Sequence, residues 1–229
     1  MNILAIECST EILSIAVYAH GEIHERVEQS RRHGDVLLPL IDAVLDVARV
    51  DKLSLQAVAF GRGPGAFTGV RMAVAAAQGI AYGLDIPAIP VSSLAALAQE
   101  GFDRGAAPPL LALSDARMGE VYAGFFDVGA DGLVYAIGEE RLAAPEAISL
   151  PGDDVWCVLG PGFHAYRQAI DKALGYRSDG ISRSCYPQAS TIARLAAREL
   201  REGRVVEAKL ALPVYLRDKV ALTTAERRH

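Results

Sequence analysis

The chain has 229 residues, 51% of them hydrophobic and 22% charged, with a formal net charge of −5. That is enough apolar material for one large domain or two small lobes, each with a real core. No stretch of about 18 residues is apolar throughout, which argues against a membrane-spanning helix. The acidic balance gives no overall basic face for holding nucleic acid unaided, although Arg31, Arg32, Arg227 and Arg228 form small basic clusters. The opening MNILAIECST has no basic leader and no small-residue cleavage site, so it reads as a first strand and not a signal peptide. Cys8, Cys157 and Cys185 are odd in number and widely spaced, which points to a reducing cytoplasm and not a disulfide scaffold.

In chain order, residues 2–7 predict a buried strand. Residues 12–19 and 22–29 predict a hairpin turning at His20-Gly21-Glu22. Leu37, Leu38, Ile41, Val44, Leu45 and Ala48 recur at helical spacing, giving a helix from Asp35 to about Arg49, with Pro39 near its start or kinking it. A short strand at 56–60 leads through a glycine-rich turn to a helix at 68–83, with Thr68 the candidate cap. A strand at 86–91 and a helix through Gln99, capped by Ser92 or Ser93, complete a βββαβαβα order.

Residues 101–109 look like a linker, after which a similar but weaker order restarts. Strands are expected at 110–114, 120–127, 132–142 and 155–159. Helices are expected from about Phe163 to Leu174 and from Thr191 to Glu202, the latter capped by Ser190. The lobes are set at 1–105 and 106–212, with the tail 213–229 packing back on the first.

The strongest motif is Gly63-Pro64-Gly65-Ala66-Phe67-Thr68-Gly69-Val70-Arg71, between a strand and a helix. Glycines there let backbone approach closely, and a helix N-terminus favours anions, but the spacing fits neither the Walker loop nor the dinucleotide fingerprint. A plain strand-to-helix turn remains open. The whole string resembles GPGSFTGLR of the TsaB family, also called YeaZ. ILAIECST at the start, His33 followed by Leu38-Pro39-Leu40, Asp115-Ala116-Arg117-Met118-Gly119-Glu120-Val121-Tyr122, and Pro213-Val214-Tyr215-Leu216-Arg217 resemble further segments of that family, in the same order.

The resemblance implies an actin-like α/β fold of two lobes, of the sugar kinase, Hsp70 and actin group, with a reduced second lobe. It also implies a larger catalytic paralogue, TsaD, as partner, and an ATPase, TsaE, that docks on the pair. The complex adds threonylcarbamoyl to adenosine 37 of tRNA, so tRNA is met only through the complex. No cofactor of the chain's own is implied, and ADP or ATP is expected at the interface with the partner. The candidate nucleotide contacts are Glu7, Ser9, Thr10, Gly63, Gly65, Thr68 and Gly69. Enzymes of the group end the first strand in aspartate, where this chain has Glu7, and a longer carboxylate displaces a tuned metal geometry. A strand-end carboxylate bonded to nearby backbone stays open as the other reading of Glu7. The paralogue's metal-binding histidines match Ser93 and Leu97, so no metal is expected. His33, Asp115, Arg117 and Glu120 carry over as motif residues of uncertain role.

The helix at 68–83 holds five alanines and three glycines, with Arg71 its one charge. A helix apolar nearly all round needs cover nearly all round. The first helix could supply that cover. The resemblance favours a helical bundle shared with TsaD, or with a second copy when TsaD is absent, through Leu37, Leu38, Ile41, Arg71, Ala75, Ala76 and Gly79. Two other functions compete with a scaffold role: a stand-alone actin-like ATPase or kinase, and a peptidase acting on TsaD.

Overall fold

A computed structural model describes residues 1–29, 33–180 and 185–217. Arg31, Arg32 and the tail beyond Arg217, with Arg227 and Arg228, lie outside them. The first sheet has the order β3-β2-β1-β4-β5: β1 (Ile3–Glu7), β2 (Ile12–Ala19), β3 (Glu22–Gln29), β4 (Ala57–Gly61) and β5 (Ala88–Val91). β1–β3 are antiparallel, while β1, β4 and β5 run parallel. His20 and Gly21 both have positive φ, the geometry of a two-residue turn that matches strand twist.

The second sheet repeats the pattern as β11-β10-β6-β7-β8: β6 (Leu110–Arg117), β7 (Glu120–Val128), β8 (Val134–Ala136), β10 (Trp156–Leu159) and β11 (Ser178–Gly180). Its first hairpin reuses the same turn, with Met118 and Gly119 at positive φ. β9 (Arg141–Ala143) pairs with β7 outside this path. The two sheets and their crossover helices make the two-lobe, actin-like α/β fold.

Alternation along the strands sorts the helices into layers. Leu4, Ile6, Val58 and Phe60 point to the outer face of the first sheet. There they meet α1 (His33–Ala48) and α2 (Phe67–Leu84). Leu111, Leu113 and Val158 point to the outer face of the second sheet, under Phe163 of α4 (Pro161–Ala165) and Ile170 and Leu174 of α5 (Arg167–Leu174). The inner faces, through Ile3, Ala5, Ala59, Leu110 and Ala112, share a core with α3 (Ser93–Asp103) and α6 (Ala189–Arg201).

These two helices are exchanged between the lobes. α3, from the first half, packs on β6, β7 and β8, while α6, from the second half, lies across β1, β2, β4 and β5. Alanines on α6 (Ala189, Ala193, Ala196) facing Ala5, Ala16, Ala57 and Ala59 permit close approach. The chain thus returns to the first lobe at residue 189, well before the expected tail at 213.

Several element boundaries differ from expectation, each for a local reason. α3 continues to Asp103, supported by the Gln99–Asp103 hydrogen bond and the Glu100–Arg104 ion pair of 2.6 Å, so only its aftermath is a linker. The expected strand 132–142 divides into β8 and β9, with Gly138 at positive φ between them. The expected helix 163–174 breaks at Tyr166, whose hydroxyl donates to Asp115 Oδ1 at 3.3 Å. Gln188, not Ser190, is the cap position of α6. The free N–H groups of Ala189 and Ser190 donate instead to Ser14 Oγ and Glu25 Oε1, both 2.8 Å away. Thr68 does not cap α2, since the cap position is Ala66 and has no side-chain bond. Pro39 sits inside α1 on its exposed side, where water can replace the missing N–H. No helix among the described residues is long and apolar enough to cross a membrane.

Two glycines of α2 should respond oppositely to an added methyl. A Cβ at Gly69 would lie 1.8 Å from the Cys8 carbonyl oxygen, whereas one at Gly79 would meet nothing within 4 Å. Gly69→Ala should cost about 1–3 kcal/mol, while Gly79→Ala should stabilise by roughly 0.5–1 kcal/mol. Urea unfolding of both variants beside the parent checks the contrast.

Candidate functional site

A cleft of about 600 Å³ opens between the lobes. Its walls are Ser9, Thr10 and Glu11 after β1, residues 65–67 at the start of α2, residues 114–118 at the tip of the β6–β7 hairpin, and Tyr215 and Arg217 of the tail. Four sequence motifs far apart in the chain therefore converge on one space. Of the candidate nucleotide contacts, Ser9, Thr10 and Gly65 line it, while Glu7, Gly63, Thr68 and Gly69 do not.

Glu7 is turned away from the cleft and is 0% exposed. Its Oε1 accepts the Ser9 N–H at 2.5 Å and its Oε2 accepts the Ser93 hydroxyl at 2.9 Å. Gly61 makes room for it, since a Cβ there would stand 1.9 Å from Oε2. Burial raises the Glu7 pKa, and the hydrogen bonds from Ser9, Ser93 and Cys8 only partly oppose that rise. The carboxyl is a packed, hydrogen-bonded group beneath the strand end and does not line the cleft.

The glycine loop is likewise filled by the chain itself. A Cβ at Gly65 would meet Ser9 Cβ at 2.5 Å, and the Ala66 N–H donates to the Ser9 carbonyl at 2.7 Å. Gly69 presses on the Cys8 carbonyl. Gly63, at φ +88°, approaches the Val214 carbonyl of the tail. The close approaches that glycine permits thus bring α2 onto β1 and the tail, where a phosphate cradle would leave them open.

On the other wall, Asp115 Oδ1 accepts the Arg117 N–H at 2.7 Å and its Oδ2 pairs with the Arg117 guanidinium at 3.0 Å, across a break in register between β6 and β7. Arg217 then wraps the hairpin tip. It donates to the carbonyls of Ala116 (3.0 Å) and Arg117 (3.3 Å) and pairs with Glu120 at 2.7 Å. The tip of the Asp115–Tyr122 hairpin thus contacts the tail through Arg217. His33 Nε2 lies 3.1 Å from the Glu11 carbonyl and ties the start of α1 to the β1–β2 turn. Motif spelling marked Tyr215 and Arg217, but no reading of the residues by themselves placed them in the cleft wall.

The expected partner face divides in two. Leu37 (4% exposed) and Ile41 (5%) belong to the chain's own core, packed on β2, and are not available to a partner. Their positions repeat the inward stripe of α1, which is why periodicity alone could not separate core from surface. Leu38 is 60% exposed. On α2 the outer side carries Phe67, Thr68, Arg71, Ala75, Gly79, Tyr82 and Gly83, all exposed, and Ala76 is half-buried. The Arg71 guanidinium stacks 3.6 Å over the Phe67 ring, and its Nε donates to the Tyr215 hydroxyl at 2.5 Å. The first helix therefore covers α2 only in part. Among the described residues no group of three His, Cys, Asp or Glu side chains is placed to hold a metal, and Cys8, Cys157 and Cys185 are all buried.

The family model described as TsaD: tRNA N6-adenosine threonylcarbamoyltransferase matches residues 11–224. The chain is 34% identical to the tRNA threonylcarbamoyladenosine biosynthesis protein TsaB of Escherichia coli strain K12, over 96% of both chains. It is 36% identical to the Haemophilus influenzae TsaB, over 96% of this chain and 95% of that one. The solved structure of YeaZ from Pseudomonas aeruginosa superposes with a TM-score of 0.87 at 38% identity, covering 94% of this chain and 99% of that one. The chain belongs to the TsaB family. Matches over nearly full length mean that both lobes, the exchanged helices and the tail fall within the TsaB-like region, and not the glycine motif alone.

Glu7 sets a pH dependence with a definite sign. Its folded-state pKa lies above the ordinary 4.5, so the fold holds the proton more tightly than the unfolded chain does. The stability that this proton supplies is present below pH 4.5 and is lost as pH rises through the folded value. Glu7→Gln should therefore gain stability over the parent on going from pH 4 to pH 8, read as the difference in melting temperature. A difference that shrinks or reverses as pH rises would show an ionised, stabilising Glu7.

Proposed function

We propose that the chain is a non-catalytic subunit in the synthesis of threonylcarbamoyladenosine on tRNA, binding TsaD and presenting a joint surface to TsaE. Membership of the TsaB family supports the pathway. The observation that carries the non-catalytic part is Glu7: the carboxylate at the strand end, where the fold's enzymes place an acidic group, is sealed under Gly61 and Ser93. With the glycine loop packed on Ser9 and Cys8, the cleft has neither a phosphate cradle nor a metal carboxylate from β1. Nucleotide, ADP or ATP, then belongs at the boundary with the partner and not within this cleft.

The peptidase alternative lacks support. A nucleophile needs a base within hydrogen-bond reach. Among the described residues the three thiols are buried, the Ser9 hydroxyl is bonded to Glu7, and His33 is engaged by the Glu11 carbonyl.

The outer side of α2 suits a helix-on-helix contact. Ala75, Gly79 and Gly83 leave little bulk, so a partner backbone can come close, and Tyr82, 81% exposed, supplies an aromatic anchor. A paralogous chain of the same fold offers a similar surface, which suits TsaD, or a second copy in its absence. Ala75→Trp and Gly79→Trp should each weaken the TsaD complex about tenfold or more, from overpacking of about 1–3 kcal/mol. Gel filtration and titration with TsaD measure the loss, with Val155→Trp on the second lobe as control. Undiminished binding by both α2 variants would place the interface elsewhere.

A further inference from the structure

We infer that residues 211–217 are a strap that fixes the angle between the two lobes, with Arg217 as its lock on the second lobe and Arg71 as its hold on the first. The lobes are joined on one side by the apolar layer of α3 and α6. On the other side they face each other across open space, and there the tail crosses. Its first part is anchored in the first lobe. Ala211 is buried in the outer core beside α2, and the Val214 N–H donates to the Arg62 carbonyl at 2.8 Å. The Tyr215 ring lies 5.8 Å from that of Phe67, and its hydroxyl accepts from Arg71. Two residues later, Arg217 grips the second lobe at Ala116, Arg117 and Glu120.

The segment is a partition and not a filler. Tyr215 and Arg217 line the interlobe cleft. Leu216 lines a second cavity of about 640 Å³ behind it, together with Arg62, Glu140 and Arg198, and Val214 borders both. With space on either side, the contacts of Arg217 bridge the lobes where no continuous core does. The planar guanidinium bonds two carbonyls and one carboxylate at once, which a lysine ammonium on its flexible stem cannot hold in the same fixed geometry. The hairpin tip is built to receive it: the Asp115–Arg117 bond and the Met118-Gly119 turn aim the carbonyls of Ala116 and Arg117 at one point. Arg71 sits on the exposed side of α2, so an occupant of that face touches the strap's hold on the first lobe; this last link alone rests on the function proposed above.

Spin labels at Val47→Cys in α1 and Val155→Cys beside β10, both exposed, report the distance between the lobes in the isolated chain. The three native thiols are buried and stay unlabelled. With the strap intact one narrow distance distribution is expected. Arg217→Ala should broaden it and add a shifted population, Arg217→Lys should fall between, and Arg71→Ala at the other end should broaden it as well. A parent-like distribution in all three variants overturns the inference, even if their melting temperatures fall. Because no partner is present, this result is independent of whether TsaD binds α2.

Discussion

The seating of the first turn of α2 on the end of β1 is the constraint from which the rest follows. Gly65 against Ser9 and Gly69 against the Cys8 carbonyl let helix and strand end approach closely, and Gly61 of β4 makes room for Glu7. In a nucleotide-binding relative of this architecture, glycines at such a turn would keep room for phosphate. Here the glycines face the chain's own Ser9 and Cys8. Two effects compete at Glu7: desolvation disfavours its charge, and four hydrogen bonds favour it. Desolvation wins, because a fully buried carboxylate gives up more in leaving water than neutral donors return. The side chain is thereby held by Ser9 and Ser93 beneath the strand end.

Around that joint the fold is a duplication with exchange. Each lobe has the same strand order, and each contributes one helix to the other's inner face. Neither half keeps its core covered without the other, so the lobes share one apolar layer while the opposite side stays open. Closing contacts on that open side are polar: those of the extended segment 211–217, and beside them the Arg62–Glu140 ion pair of 3.6 Å. Between β8 and β10 the second lobe has only β9 and a 3-10 turn at Pro145–Ala147, where the first lobe has α1 between β3 and β4. The outer face of the first lobe is covered by α1 and α2, and that of the second by the shorter α4 and α5.

Much of this was legible in the sequence. Apolar runs and the His20-Gly21-Glu22 turn located β1 through β5 to within two residues, and the element order implied the antiparallel and parallel pairs. The glycine motif was correctly placed between strand and helix, yet its purpose could not be read. Glycine marks a close approach without naming what approaches, and only the positions of Ser9 and Cys8 decide that it is the chain's own backbone. Leu37 and Ile41 looked like partner residues because a helix stripe facing a sheet and one facing another protein have the same period. The cap of α6 was misplaced onto Ser190 because the donors are satisfied by Ser14 and Glu25, some 165 to 175 residues away. The exchange of α3 and α6 leaves no local mark at all.

The central claim is that this chain contributes contact and not chemistry. The most direct test is the initial rate of threonylcarbamoyl transfer to tRNA by TsaD and TsaE, reconstituted with the parent chain or with Glu7→Gln. A sealed, hydrogen-bonded Glu7 predicts equal rates wherever the variant forms the same amount of complex. A rate at least about tenfold lower, some 1.4 kcal/mol in the barrier, at unchanged complex formation would contradict it and return the strand-end carboxylate to the reaction.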